Sequence, residues 1–178
     1  MSEQAFFGGG CFWCLEAVFD RAKGVNLVEP GYMGGHILDP SYEQICTGTT
    51  GHAEVVRISF TPEVIDFVTL LRIFFSIHDP TTLDRQGNDI GPQYRSIVFH
   101  RDIKQRELTK NTIEEVERAR IFRDPIITES VPVEHFYPAE NYHKDYFVNN
   151  PSQPYCQVII NPKMEKFCNE WAELLKTS

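Results

Sequence analysis

The chain has 178 residues, 42% hydrophobic and 24% charged, long enough for one domain with a full core and no need of covalent staples. Twenty-five acidic against 17 basic residues leave a net charge of −8, and no basic stretch interleaved with aromatics offsets it, which argues against a nucleic-acid partner. Met1-Ser2-Glu3-Gln4 has no basic start, and the longest apolar run, residues 64–77, is broken by Asp66, Thr69, Arg72 and Ser76; neither a secretory signal nor a membrane span is expected, and the chain reads as cytoplasmic.

Residues 4–8 predict a short apolar strand that runs into Gly8-Gly9-Gly10. Beyond Cys11, Phe12, Leu15, Val18, Phe19 and Ala22 recur at helical spacing until Gly24, which gives strand, glycine elbow, helix. Residues 31–52, rich in Gly, Pro, Ser and Thr, read as a long irregular loop, and the alternation over 53–60 predicts a strand. Thr61 as N-cap with Pro62 in the first turn predicts a core helix to Ile77. A second loop (78–93) and a short strand (96–99) follow. Asp102 and Gln105 then cap a charged helix to about Ala119, and residues 126–131 suggest another strand. Asn161 is the expected cap of a last helix from Pro162, with Met164, Phe167, Cys168, Trp171, Leu174 and Leu175 on one face. Segregated strands and helices predict an α+β sandwich in a single domain, 1–178.

Five cysteines, an odd number, do not make a complete structural disulfide framework, so any disulfide is expected to be transient. Cys11 stands where the elbow becomes a helix, and free N–H groups there would lower its pKa. Phe12 and Trp13 beside it suit a small apolar group; the competing reading is a tight packing joint. Cys14, one turn on, makes a C-x-x-C pair. A structural zinc would need a second close pair, which Cys46, Cys156 and Cys168 do not provide, so neither metal nor cofactor is expected. Cys168 reads as core and Cys46 as incidental in a polar loop. Cys156 follows Asn150-Pro151-Ser152-Gln153-Pro154-Tyr155, a stretch unsuited to regular helix; residues 149–161 are expected to be mobile, able to swing Cys156 to another thiol.

Gly10-Cys11-Phe12-Trp13, Gly31-Tyr32-Met33-Gly34-Gly35, Tyr42, Gly51-His52-Ala53-Glu54-Val55-Val56, Gly87-Asn88-Asp89, Gln93-Tyr94-Arg95-Ser96 and Asn141-Tyr142-His143 together resemble the A-type peptide methionine sulfoxide reductases, in the family's order. The resemblance implies reduction of methionine-S-sulfoxide, free or in proteins, with thioredoxin as reductant. It also implies a two-layer roll around a ferredoxin-like βαββαβ core. It makes Cys11 the nucleophile, Glu54 the acid, Tyr42 and Tyr94 hydroxyl donors to the sulfoxide oxygen, Phe12 and Trp13 the holders of the substrate methyl, and Asp89 and His143 supporting groups. The chemistry asks for the same types independently: a thiolate attacks the sulfoxide sulfur, and the S–O bond breaks only if the oxygen is protonated. Cys11 sulfenic acid would then condense with a second thiol. Cys156 matches the family's recycling cysteine and is the favoured partner. Cys14, where glycine is the commoner family residue, is the alternative or a relay. Two other readings stand beside this one: a general thiol-disulfide oxidoreductase of Cys11 and Cys14, needing no acid, and a redox-sensing module without turnover.

Overall fold

The computed structural model describes residues 1–177. In chain order the elements are β1 (Glu3–Gly8), α1 (Phe12–Phe19), β2 (Val25–Met33), α2 (Tyr42–Cys46), β3 (Ala53–Phe60), α3 (Phe67–Ile77), β4 (Arg85–Gln86), β5 (Asp89–Ile90), β6 (Ile97–His100), α4 (Ile103–Arg118), β7 (Glu129–Pro132), β8 (Tyr137–Pro138), α5 (Tyr146–Asn149) and α6 (Asn161–Glu170). Six strands form one mixed sheet in the order β7-β6-β1-β3-β2-β8, and β4 and β5 make a separate hairpin. The inner pairs are all antiparallel; β7 joins β6 in parallel. A largely antiparallel sheet with helices packed on it is an α+β fold, although strands and helices alternate along the chain and are not segregated as expected.

Strand alternation divides the core. Ala5 and Phe7 of β1, with Val56, Ile58 and Phe60 of β3, face the layer built from α1, α3 and α6. Phe6, Val55, Ile97 and Phe99 point the other way and meet Met33, Ala53 and Phe136 in a smaller cluster. Phe7, fully buried, stacks on Phe74 at 4.9 Å between ring centroids and touches Phe19 and Phe67, locking both helices to the central strand. No helix among the described residues is long and apolar enough to cross a membrane.

Several boundaries differ from the sequence expectation. Residues 31–33, read as loop, end β2, a nine-residue strand that had no prediction. Pro30 sits inside it. Its carbonyl accepts from Ala139 on the β8 side, so the N–H it lacks would also have faced that short side and not the ladder to β3. The expected helix at Thr61 starts later. Thr61 to Ile65 close only a turn, and the cap is Asp66, whose carboxylate accepts from the Thr69 N–H at 2.8 Å. Asp66→Ala should therefore cost about 1 kcal/mol in a urea titration; an unchanged midpoint would remove the cap.

The last helix is not capped by Asn161. Ile160 is already helical (φ −77°, ψ −46°), and α6 continues from a wide i→i+5 turn over Cys156–Ile160; of the stretch judged unsuited to regular helix, residues 150–153 are indeed irregular or turn and Pro154 and Tyr155 lead into the wound segment. Pro162 has no N–H to give the turn before it, and the widened turn accommodates that loss. The helix stops at Glu170, short of Leu175. Trp171 leaves helical geometry and gives its indole N–H to Ser76 Oγ. Cys168 is partly exposed, not core, and Cys46 is exposed on the last residue of α2. Asp102 does cap α4, accepting from Gln105 N–H at 2.8 Å.

Candidate active site

The centre of the site follows from β1 and β3 lying side by side. Glu54 shares its face of β3 with Val56, Ile58 and Phe60, so it points toward the helical layer, but at the end of the strand where α1 begins. The chain leaves β1 through the glycines. A Cβ on Gly8 would lie 3.0 Å from Glu54 O, and Gly10 takes φ +86° with Gln86 against it, so this elbow passes over Glu54 only as glycine. Cys11 then caps α1 in extended geometry (φ −65°, ψ 131°), and the next N–H, that of Phe12, donates to Glu54 Oε1 at 3.1 Å.

Glu54 is 1% exposed. Burial pushes its carboxyl up to about 8, against the Phe12 N–H and with the charge of Asp89 adding to the rise, so it holds a proton at neutral pH. The solvent-facing strand position that alternation alone would suggest is thereby ruled out. Cys11 does not behave as the helix-start argument expects. Burial first, then the charges of Glu54 and Cys14, push its thiol well above the ordinary range, outweighing the N-terminal amides. The sulfur is stored as thiol beside a protonated acid.

Two tyrosine hydroxyls lie within electrostatic reach of the same carboxyl. Tyr42 opens α2 and Tyr94 ends the 3-10 turn Pro92–Tyr94; burial raises both, and the charge of Glu54 raises both further. Both are neutral donors at any physiological pH. Tyr94 is fixed by its carbonyl accepting from Gly10 N–H, and by Arg95, which reaches Gly51 O at 3.0 Å and pairs with Glu129. Tyr42 is fixed by its N–H donating to Glu140 Oε2 at 2.9 Å, while Glu140 Oε1 accepts from the Tyr32 hydroxyl. The loop before β3 is held by His52, which accepts from Gly35 N–H and binds Ile37 O.

Trp13 forms an aromatic wall. It stacks flat on Tyr146 (3.7 Å, 6°), and its indole N–H donates to His143 Nδ1 at 3.0 Å. His143 therefore carries its proton on Nε2; burial keeps it neutral. Phe12 is fully buried against Tyr32 and His143, whereas Trp13 keeps some surface open. Asp89, on β5, accepts from the Tyr155 hydroxyl at 2.6 Å, and the same hydroxyl lies 3.7 Å from Cys14 Sγ. Cys156 is buried, on the wide turn packed against α1. The structure thus brings Cys11, Glu54, Tyr42, Tyr94, Trp13, Phe12, His143, Asp89 and Cys14 into one neighbourhood, with Cys156 on the turn packed against α1. Sequence reasoning gave no role to Glu140, Tyr146, Tyr155 or Arg95. Arg95 lies within a quoted motif, Glu140 directly precedes one and Tyr155 precedes Cys156; nothing in the sequence singled out Tyr146.

No group of three or more His, Cys, Asp or Glu suited to a metal occurs among the described residues. A site built from a buried thiol, a protonated carboxyl and two phenols supplies a nucleophile and a proton, not a ligand cage. The family model described as peptide methionine sulfoxide reductase matches residues 3–175. The chain belongs to the peptide methionine sulfoxide reductase family. A curated peptide methionine sulfoxide reductase from Chromobacterium violaceum is 49% identical over 98% of this chain and 99% of its own length. One from Saccharolobus solfataricus is 51% identical over 98% and 97%. Among solved structures, reduced Mxr1 of Saccharomyces cerevisiae is similar with a TM-score of 0.79 at 33% identity, over 87% of this reductase-family chain and 89% of that one. Methionine sulfoxide reductase A of Corynebacterium diphtheriae is similar with a TM-score of 0.75 at 32% identity, over 85% and 76%.

Proposed function

We propose that this chain reduces methionine-S-sulfoxide, free and in oxidised proteins, by thiol chemistry and so repairs oxidative damage. The observation that carries the reading is Glu54, buried, protonated around neutrality and bonded to the first N–H after Cys11. The Cys11 sulfur attacks the sulfoxide sulfur while Glu54 gives its proton to the oxygen, and Tyr42 and Tyr94 donate hydrogen bonds to that oxygen. The oxygen passes to Cys11 as a sulfenic acid, the sulfide leaves, and the thiol proton replaces the one Glu54 gave up. Trp13 is the wall for the substrate methyl, with Phe12 beneath it; His143 sets the indole and Asp89 supports the site. A second thiol, Cys156 or Cys14, condenses with the sulfenic acid, releasing water and leaving a disulfide that the thioredoxin dithiol reduces. The 149–161 segment moves to bring Cys156 into play. For the fold, the order β6-β1-β3-β2, all antiparallel, in the chain sequence β1-α1-β2-β3-α3-β6 supports a ferredoxin-like core.

Mixing excess protein with each diastereomer of a methyl sulfoxide, without reductant, tests the proposal. Sulfide is expected from the S form only, with loss of two thiols per sulfide. A thiol-disulfide exchanger or a redox sensor would release none.

A further inference from the structure

Resting on that reading, we infer that Cys14 and not Cys156 resolves the Cys11 sulfenic acid first, and that Tyr155 is its catalytic proton acceptor, backed by Asp89. This reverses the order the sequence favoured.

Four observations converge. Cys14 lies one helical turn from Cys11 on the same helix, whereas Cys156 sits on a separate turn packed against α1. Cys11 is the N-cap, with extended backbone, and Cys14 is the third helical residue, its N–H donating to Cys11 O at 3.1 Å. A bond between the sulfurs would span the cap without unwinding the helix, which answers the strain objection to a C-x-x-C bridge here. The Tyr155 hydroxyl commits its one proton to Asp89 Oδ2 at 2.6 Å, so toward Cys14 Sγ at 3.7 Å it presents a lone pair. Cys14 is thus the donor, S–H to O, in a chain Cys14–Tyr155–Asp89. Tyr155 is itself held edge-on against Trp13 at 5.9 Å, so the acceptor is positioned by the substrate wall.

The step balances. The Cys14 proton moves to Tyr155 oxygen as the Tyr155 proton moves to the Asp89 carboxylate. The Cys14 sulfur forms the S–S bond, the S–O bond of the sulfenic acid breaks, and the departing oxygen takes the Glu54 proton to leave as water. Solvent returns the Asp89 proton to Glu54. Asp89 does not touch the sulfurs and acts through Tyr155, as the terminal proton acceptor of the relay.

The test is a single turnover of the full chain with methionine-S-sulfoxide, quenched at intervals, with sulfide quantified and disulfides mapped by peptide. In the unmodified protein the earliest disulfide should join Cys11 to Cys14. Tyr155→Phe should make disulfide formation lag sulfide release by about a hundredfold, with sulfenic acid trappable by a carbon nucleophile, and Asp89→Asn should lag in the same direction. Because the relay only removes a proton, the Tyr155→Phe lag should shrink as pH is raised toward about 8, since the thiolate fraction of Cys14 then grows without help while Glu54 still holds its proton; a packing defect would not recover. A first disulfide between Cys11 and Cys156 with Cys14 still free, or a lag absent or independent of pH, would overturn the inference. No sulfide from any of the proteins would remove the reductase reading and this inference with it.

Discussion

Cys11→Ser is expected to release no sulfide from methionine-S-sulfoxide, a loss of at least about 10⁴-fold, while Cys14→Ser and Cys156→Ser each still release sulfide in a first turnover. The oxygen must end on an atom that can be oxidised by two electrons and later reduced. Sulfur can do so through the sulfenic acid; a serine oxygen cannot, whatever its protonation. Cys11 keeps 7% of its surface open at the elbow, whereas Cys14 and Cys156 are completely buried, so neither can stand in as the attacking sulfur without rearrangement. Quantifying sulfide against protein at stoichiometric sulfoxide separates the cases. Residual turnover in Cys11→Ser equal to that of Cys14→Ser would move the nucleophile elsewhere.

The elbow and the two central strands were legible because each signal there is local. Glycines between an apolar strand and a 3.6-residue periodicity, and alternation over Ala53–Phe60, depend on neighbours a few residues away. Strand β2 was not legible, because Pro30 and Gly31 carry turn chemistry in isolation. Only the pairing partner, which presents β3 on one side and just two residues of β8 on the other, makes a proline harmless there. Two helix starts failed in the same way. Thr61-Pro62 is a good local start, yet Asp66 supplies the cap actually used, and Ile160 and Asn161 continue a helix already running. Capping signals say where a helix can begin, and packing decides between candidates a few residues apart.

At the site, Cys11, Phe12, Trp13 and Cys14 stood out from the residues themselves and Glu54, Tyr42, Tyr94, Asp89 and His143 from family resemblance, while the electrostatics followed from burial. The helix-start argument predicted a lowered Cys11 pKa. It treated the backbone amides correctly and missed that the same fold removes water from the sulfur and sets Glu54 and Cys14 beside it. The Glu140 anchor between Tyr32 and Tyr42, and the Tyr155 link between Asp89 and Cys14, each join residues 66 to 141 positions apart, which no spacing rule reaches.

Glu54→Gln should slow sulfide release by about 10²- to 10⁴-fold and yet yield a more stable protein at neutral and alkaline pH. The side-chain oxygen of glutamine can still accept from Phe12 N–H, so the geometry around Cys11 survives and only the proton is lost. In the wild type the burial that raises the carboxyl to about 8 also costs stability, and its direction is fixed by linkage. The ordinary value is 4.5, so between roughly pH 4.5 and pH 8 the folded state holds a proton that the unfolded state has released, and stability falls as pH rises through that window, by a few kcal/mol in all. Glutamine has no such proton, so a plot of unfolding free energy against pH should diverge from the wild type through the same window, with the variant higher at pH 8. The wild-type reduction step should fall above about pH 8 as the acid is consumed, and that falling limb should be missing from the slow rate of Glu54→Gln. The two measurements share one cause, a carboxyl kept neutral by desolvation: fast reduction by Glu54→Gln would remove Glu54 as the acid, and parallel stability curves would remove its buried proton.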